Sequence, residues 1–279
     1  VDAGTPEIRV QITARDNQAL NLGQLLASGG RIGMYGGLVR QGGVANANTA
    51  VVGENGKIVF RATKDVTLDA GSVTTASGPN GGSVTVQAET GTLLASGTIE
   101  AIGDTGKGGT VQLLGTQVGL IGNASVDASG QSGGGTVLIG GDFQGKNPDI
   151  QNAFRTYFGP DAAIKADAIT SGDGGKVIVW SDDTTRAYGS ISAKGGSQSG
   201  NGGFVEVSGK NNLDFAALVN TSASNGRDGT LLLDPQDIIV SDTTTTDNNQ
   251  LNVNVPTAGN PAGSIFFADG GGSNFTISD

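Results

Sequence analysis

The sequence contains no cysteine and no histidine. Without cysteine there is no disulfide framework and no thiolate metal site. Without histidine the commonest general base and the commonest zinc ligand are missing, so most familiar catalytic constellations are excluded. Cysteine-free chains occur inside cells and outside bacteria alike, so this absence does not fix the compartment. Basic residues are few, 16 against 26 acidic ones, for a net charge of −10 and a pI near 4.4. Such a surface repels nucleic-acid phosphates and anionic lipid, which sets aside a nucleic-acid partner. No apolar run approaches the ~18 residues needed to cross a bilayer, so no membrane span is expected. The start, Val1-Asp2-Ala3-Gly4, has neither the basic nor the apolar region of a signal peptide, and the chain is expected to be soluble or cut from something longer. Proline is scarce, at 7 residues, and the 49 glycines follow no Gly-X-Y period, which excludes a proline-rich tract and collagen.

What the glycines do is punctuate short strands. The stretch Gly203-Phe204-Val205-Glu206-Val207-Ser208-Gly209 is a repeating unit. Its counterparts place the second glycine of a pair at Gly30, Gly56, Gly82, Gly109, Gly135, Gly175, Gly203 and Gly229, with successive intervals of 26, 26, 27, 26, 40, 28 and 26. A period of this size means stacked units, none of which buries its apolar face alone. Each unit carries three short apolar groups, as in Ser83-Val84-Thr85-Val86, Thr92-Leu93-Leu94 and Thr98-Ile99-Glu100-Ala101. The expected fold is all-β: a parallel β-helix with about 26 residues and three short strands per coil. Alternation directs Val84, Val86, Val111, Leu113, Val137, Ile139, Val177, Val179, Val205 and Val207 inward, and Ser83, Thr85, Thr110, Gln112 and Glu206 to solvent. A second ladder, Val73, Ile99, Val126, Ile164, Ile191 and Val219, is expected to form one interior column.

Three regions follow from this pattern. Residues 1–28 read as a cap-like opening strand segment, 29–240 as the coils, and 241–279 as a looser β segment that continues the stack or makes an assembly contact. In the last region Leu251-Asn252-Val253-Asn254-Val255, Ser264-Ile265-Phe266-Phe267 and Asn274-Phe275-Thr276-Ile277 look like strands. The end has no polar capping segment, which suggests a fragment or a subunit that stacks end to end.

The one long interval holds an aromatic-rich insertion at about 141–160, containing Phe143, Phe154, Tyr157 and Phe158. Insertions in repeat proteins map to one face, often the binding face, so these four are candidate partner contacts. The alternative is that they roof an apolar patch at the outward positions Leu138, Ile178 and Leu232. Asn123, Asn220 and Asn274 match the glycosylation sequon and are candidate modification sites. Asp182-Asp183, and Asp142 with Asp149, are the best acidic candidates for a polysaccharide lyase or hydrolase, but adjacent carboxylates on a strand point to opposite faces and no basic cluster accompanies them. No catalytic residue, metal ligand or cofactor is assigned.

The stretches Gly133-Gly134-Gly135-Thr136-Val137-Leu138-Ile139-Gly140-Gly141-Asp142-Phe143-Gln144-Gly145-Lys146-Asn147, Gly172-Asp173-Gly174-Gly175-Lys176-Val177-Ile178-Val179-Trp180 and Leu231-Leu232-Leu233-Asp234-Pro235 resemble segments of the filamentous-haemagglutinin-like exoproteins and adhesins of Gram-negative two-partner secretion. The resemblance implies a right-handed parallel β-helix, export through an outer-membrane transporter partner, and a secreted or cell-surface role in adhesion or biofilm matrix. The expectation is a non-enzymatic structural segment that contacts another copy, or a surface or matrix glycan or protein. The alternative is a carbohydrate-active β-helix enzyme.

Overall fold

The structure, a computed structural model, describes residues 6–11, 17–53, 55–234, 237–240 and 275–277. It is an all-β parallel solenoid of about eight turns with about 27 residues per turn. Each turn contributes two strands to a 17-stranded sheet and one to an 8-stranded sheet. In two turns the first two strands run together, as Ser83–Ala95 and Thr110–Leu120, and the register between these two slips between Ala88 and Thr92. The opening segment supplies Glu7–Gln11, Gln18–Asn21 and Gln24–Leu26, each pairing in parallel with the turn above, so these three strands stack as those of the later turns do. At the other end Thr230–Leu233 stacks in parallel on Phe204–Gly209 and pairs antiparallel with Phe275–Ile277. The expected strands at 251–255 and 264–267 lie outside the described residues.

Why glycine recurs is visible in the stacking. The carbonyls of Gly56, Gly82, Gly109, Gly135 and Gly175 each accept the N–H of the first strand residue one turn on, Ser83, Thr110, Thr136, Lys176 and Phe204, at 2.9 Å. A Cβ at Gly109 would collide with the carbonyl oxygen of Gly82, and the same holds up the column, so any side chain here pushes two turns apart.

The core is built by period-two alternation. Val84, Val86, Val111, Leu113, Val137, Ile139, Val177, Val179, Val205 and Val207 all point inward with no exposed surface, in the direction the alternation predicts. They lie directly over one another in register. The second interior column is corrected at one position. Ile99, Val126, Ile164, Ile191 and Val219 do stack. Below Ile99, however, the partner is Thr74, while Val73 pairs with Thr98 and is half-buried. Thr74 is fully buried and its hydroxyl finds no hydrogen-bond partner. In a three-residue strand a slip of one residue inverts which side chain faces in, and equal spacing alone does not reveal it.

Candidate functional site: a strap along the outer wall

The long interval leaves the stack at Gly140, whose N–H still bonds to Leu113, and rejoins it at Ala153, whose N–H closes on the Gly140 carbonyl at 2.6 Å. Residues 141–152 therefore lie outside the solenoid. The segment Arg155–Phe158, expected as part of the insertion, is instead an ordinary strand of the turn, paired with Gln117–Leu120 below and Thr184–Ala187 above. This corrects one of the partner-contact candidates: Phe158 is completely buried and packs in the core. Its alternation partner Tyr157 faces outward, as period two requires.

The excursion lies on an outward column that differs between turns. In register, that column reads Val59, Thr85, Gln112, Leu138, Ile178, Glu206 and Leu232. Leu138, Ile178 and Trp180 form a small second core, with Ile150 of the excursion and Phe204 packed on it. Phe143 meets Phe204 edge-on at 5.8 Å between ring centroids. Gly145, at φ 62°, lies so close to the Trp180 ring that a Cβ would sit 2.7 Å from its Nε1, so both backbone conformation and space demand glycine there. The apolar patch is roofed, and burying Trp180 with Ile178 and Leu138 supplies several kcal/mol toward holding the roof down.

Polar contacts extend this roof into a lengthwise strap. Toward the N-terminal turns, the Gln151 Oε1 accepts from the Gln87 Nε2 at 2.8 Å, and the Gln151 Nε2 donates to the Glu89 carbonyl at 3.0 Å. Toward the C-terminal turns, the Gln144 backbone N–H points at both oxygens of Glu206 at 3.2 Å, and its Nε2 donates to Asp234 at 2.8 Å. The strap thus reaches from the turn of Ser83–Ala95 to that of Thr230–Leu233. To present N–H and side chain together, Gln144 adopts φ 53° and ψ 21°, the one positive φ at a non-glycine among the described residues. Only sparse regions of backbone space are open to a residue with a Cβ there, so the contacts hold a conformation the chain resists.

Two carboxylates anchor the strap in opposite electrostatic states. Burial opposes ionisation of Asp142, but hydrogen bonds from Asn147, from Lys176 at 2.6 Å and from the Phe143 N–H outweigh it and hold its pKa below the ordinary carboxylate value. Glu206 has no exposed surface. Burial pushes its pKa up to about 7, aided by the neighbouring Asp234 charge and opposed by the Gln144 N–H, the Ser208 hydroxyl and the more distant Lys176. Glu206 was expected at the surface. It does occupy an outward position, but the strap covers it, so alternation gave the face and not the exposure.

The acidic candidates are committed to structure. Asp182 accepts from the Trp180 indole and from Asn152, and Asp183 is held below the usual carboxylate range by Arg155 and Asn211. Asp149 is exposed, and its N–H caps back to Asn147. Of the partner-contact candidates, Phe143, Phe154 and Tyr157 keep substantial exposed surface. Arg155 stacks on Phe154, and Tyr157 meets Tyr188 edge-on. Asn123 lies exposed in a turn, Asn220 is exposed with its Oδ1 accepting the Ser222 N–H, and Asn274 lies outside the described residues. No cluster of metal-ligating side chains occurs, and no helix is long and apolar enough to cross a membrane, among the described residues.

The chain matches no protein-family model and no curated protein. Among solved structures it is similar to the HMW1 secretion domain from Haemophilus influenzae, at 28% identity over 80% of this chain and with a TM-score of 0.53. The likeness is to a secretion domain. The match covers 51% of that chain, so this protein spans about half of its neighbour's length.

Proposed function

We propose that this chain is a non-enzymatic structural segment of a secreted bacterial adhesin or extracellular matrix fibre. It acts as a stiff β-helical rod on the surface of, or outside, a Gram-negative cell, exported through an outer-membrane transporter of the two-partner kind. The observation that carries this reading is the likeness, at 28% identity along most of the chain, to a secretion domain. The parallel ladder supports it: among the described residues each turn pairs in parallel with the next, from Glu7–Gln11 to Asp237–Val240, which gives rigidity without disulfides. The partner is a second copy end to end, or a glycan or protein of the cell surface or matrix, with the exposed Phe143, Phe154 and Tyr157 as contact residues and the exposed Asn123 as a sequon open to glycosylation.

The competing reading, a carbohydrate-active enzyme, needs an open groove with acidic groups beside a basic one. Among the described residues the one carboxyl tuned like a general acid, Glu206, is closed off by the strap, and Lys176 is occupied by Asp142. Antibody against this chain, applied to intact source cells with and without the transporter gene, tests the proposal. Surface labelling that disappears with the transporter is expected. Labelling seen only after lysis in both strains, or release of sugars from polysaccharides by the purified chain, contradicts it.

A further inference from the structure

Glu206 is a fully buried carboxyl on the outer wall, with no cation in hydrogen-bonding contact. Its roof is the backbone of a segment that leaves the rod at Gly140 and rejoins it at Ala153, and is held between them by side-chain contacts. The charged groups around it come from each packed element. Lys176 on the preceding turn is neutralised by Asp142 at 2.6 Å, Asp234 on the following turn lies on the same strap contact, and Lys146 of the strap is turned back onto the Gln144 amide oxygen at 2.6 Å. Two carboxyls, Glu206 and Asp234, thus meet one strap residue, Gln144, which brings no charge to either.

We propose that the strap is a proton-controlled latch: it closes on the rod when Glu206 is protonated and loosens as Glu206 ionises, uncovering the apolar face of Leu138, Ile178 and Trp180. The direction follows from linkage. With the strap closed Glu206 holds its proton up to about pH 7, and with the strap open it titrates near its ordinary 4.5. Closure is therefore fully supported below pH 4.5, weakens as pH rises through the interval up to 7, and is constant above it. Asp142 does not cancel this, because its pKa is lowered and it stays ionised throughout that interval. What the latch governs is access to the apolar face of Leu138, Ile178 and Trp180 on the outer wall, so the rod is closed in acid and adhesive toward neutral pH.

Amide hydrogen exchange on the full chain reads this directly, with the intrinsic pH dependence of exchange divided out. Protection at Gln144 and Gly145 is expected to fall by about 100-fold between a pH of about 4.5 and about 7.5, as linkage gives for those two pKa values. Protection at the core amides of Val84 and Val111 stays constant. In Glu206→Gln the strap amides lose this dependence, and in Asp234→Asn the midpoint moves to lower pH. The carboxyl carbon of Glu206 in the unmutated chain, followed by NMR, gives a readout that needs no variant to fold: a midpoint near 7 is expected. A midpoint near 4.5, strap protection that does not vary with pH, or an unchanged dependence in Glu206→Gln overturns the latch.

Discussion

The turn of Thr110–Leu120 and the turns beginning at Thr136 and Lys176 share one backbone and one interior, and differ on the outside. In the first, the outward column carries Gln112, half-buried and polar. In the others, the same column carries Leu138 and Ile178, with Trp180 two residues on, all buried under the strap. The ladder is continuous through both kinds, with Val111, Val137 and Val177 stacked without a break. Stacking and outer-wall function are therefore separable in this protein. Inward positions hold the rod, and outward positions are free to be bare or to anchor an accessory element.

The largest effect that breaks this comparison comes from the shared interior. Val126→Asp places an unpaired carboxylate in the column of Ile99 and Ile164, at a cost of several kcal/mol, and thermal denaturation should show a collapsed or absent transition. The matched outward change Thr85→Ala loses only the hydrogen bond to Gln112 and should cost no more than about 1 kcal/mol. Next comes the roofed wall: Trp180→Ala removes the ring on which the strap rests and should cost about 3 kcal/mol, whereas Gln112→Ala, at a half-buried polar position of the same column, should cost no more than about 1 kcal/mol. A smaller effect, of opposite sign, is expected at Thr74. Replacing its unpartnered buried hydroxyl by the isosteric Val should stabilise by about 1 kcal/mol, read as a raised melting temperature. Smallest is Lys176→Ala, which frees Asp142. Because the Asp142 pKa is lowered, its contribution is present above its ordinary value of 3.8 and is lost as pH falls through the lowered pKa. In the variant, the part of the acid-side loss that depends on the Lys176 contact should disappear, and the change at neutral pH should stay under about 1 kcal/mol.

What was legible in the sequence divides along the same line. The glycine column and the inward valines could be read because a parallel stack places every counterpart at one interval, and because side chains alternate strictly along a strand. Val73 misled because strands of three residues carry too little alternation to fix register, and Thr74 took its place. Phe158 misled because an interval gives the length of an insertion and not its edges. Arg155–Phe158 restores the ladder, and the alternation of Thr156 and Phe158 inward against Tyr157 outward was the available signal. Glu206 and Trp180 belong to the outer wall, where local pattern gives the face but not what the chain later lays over it. Contacts such as Gln144 with Asp234, 90 residues apart, have no periodic trace.

The central claim is that the rod is self-sufficient and the strap an external addition. The most direct test replaces residues 143–151 by a short glycine bridge, leaves Ala153 and the strand Arg155–Phe158 in place, and records circular dichroism on heating. The account predicts an unchanged strand spectrum and a cooperative transition at a lower temperature, with a hydrophobic dye now binding at the uncovered Leu138, Ile178 and Trp180. Loss of the strand spectrum would mean that the strap is part of what folds the ladder, and would contradict it.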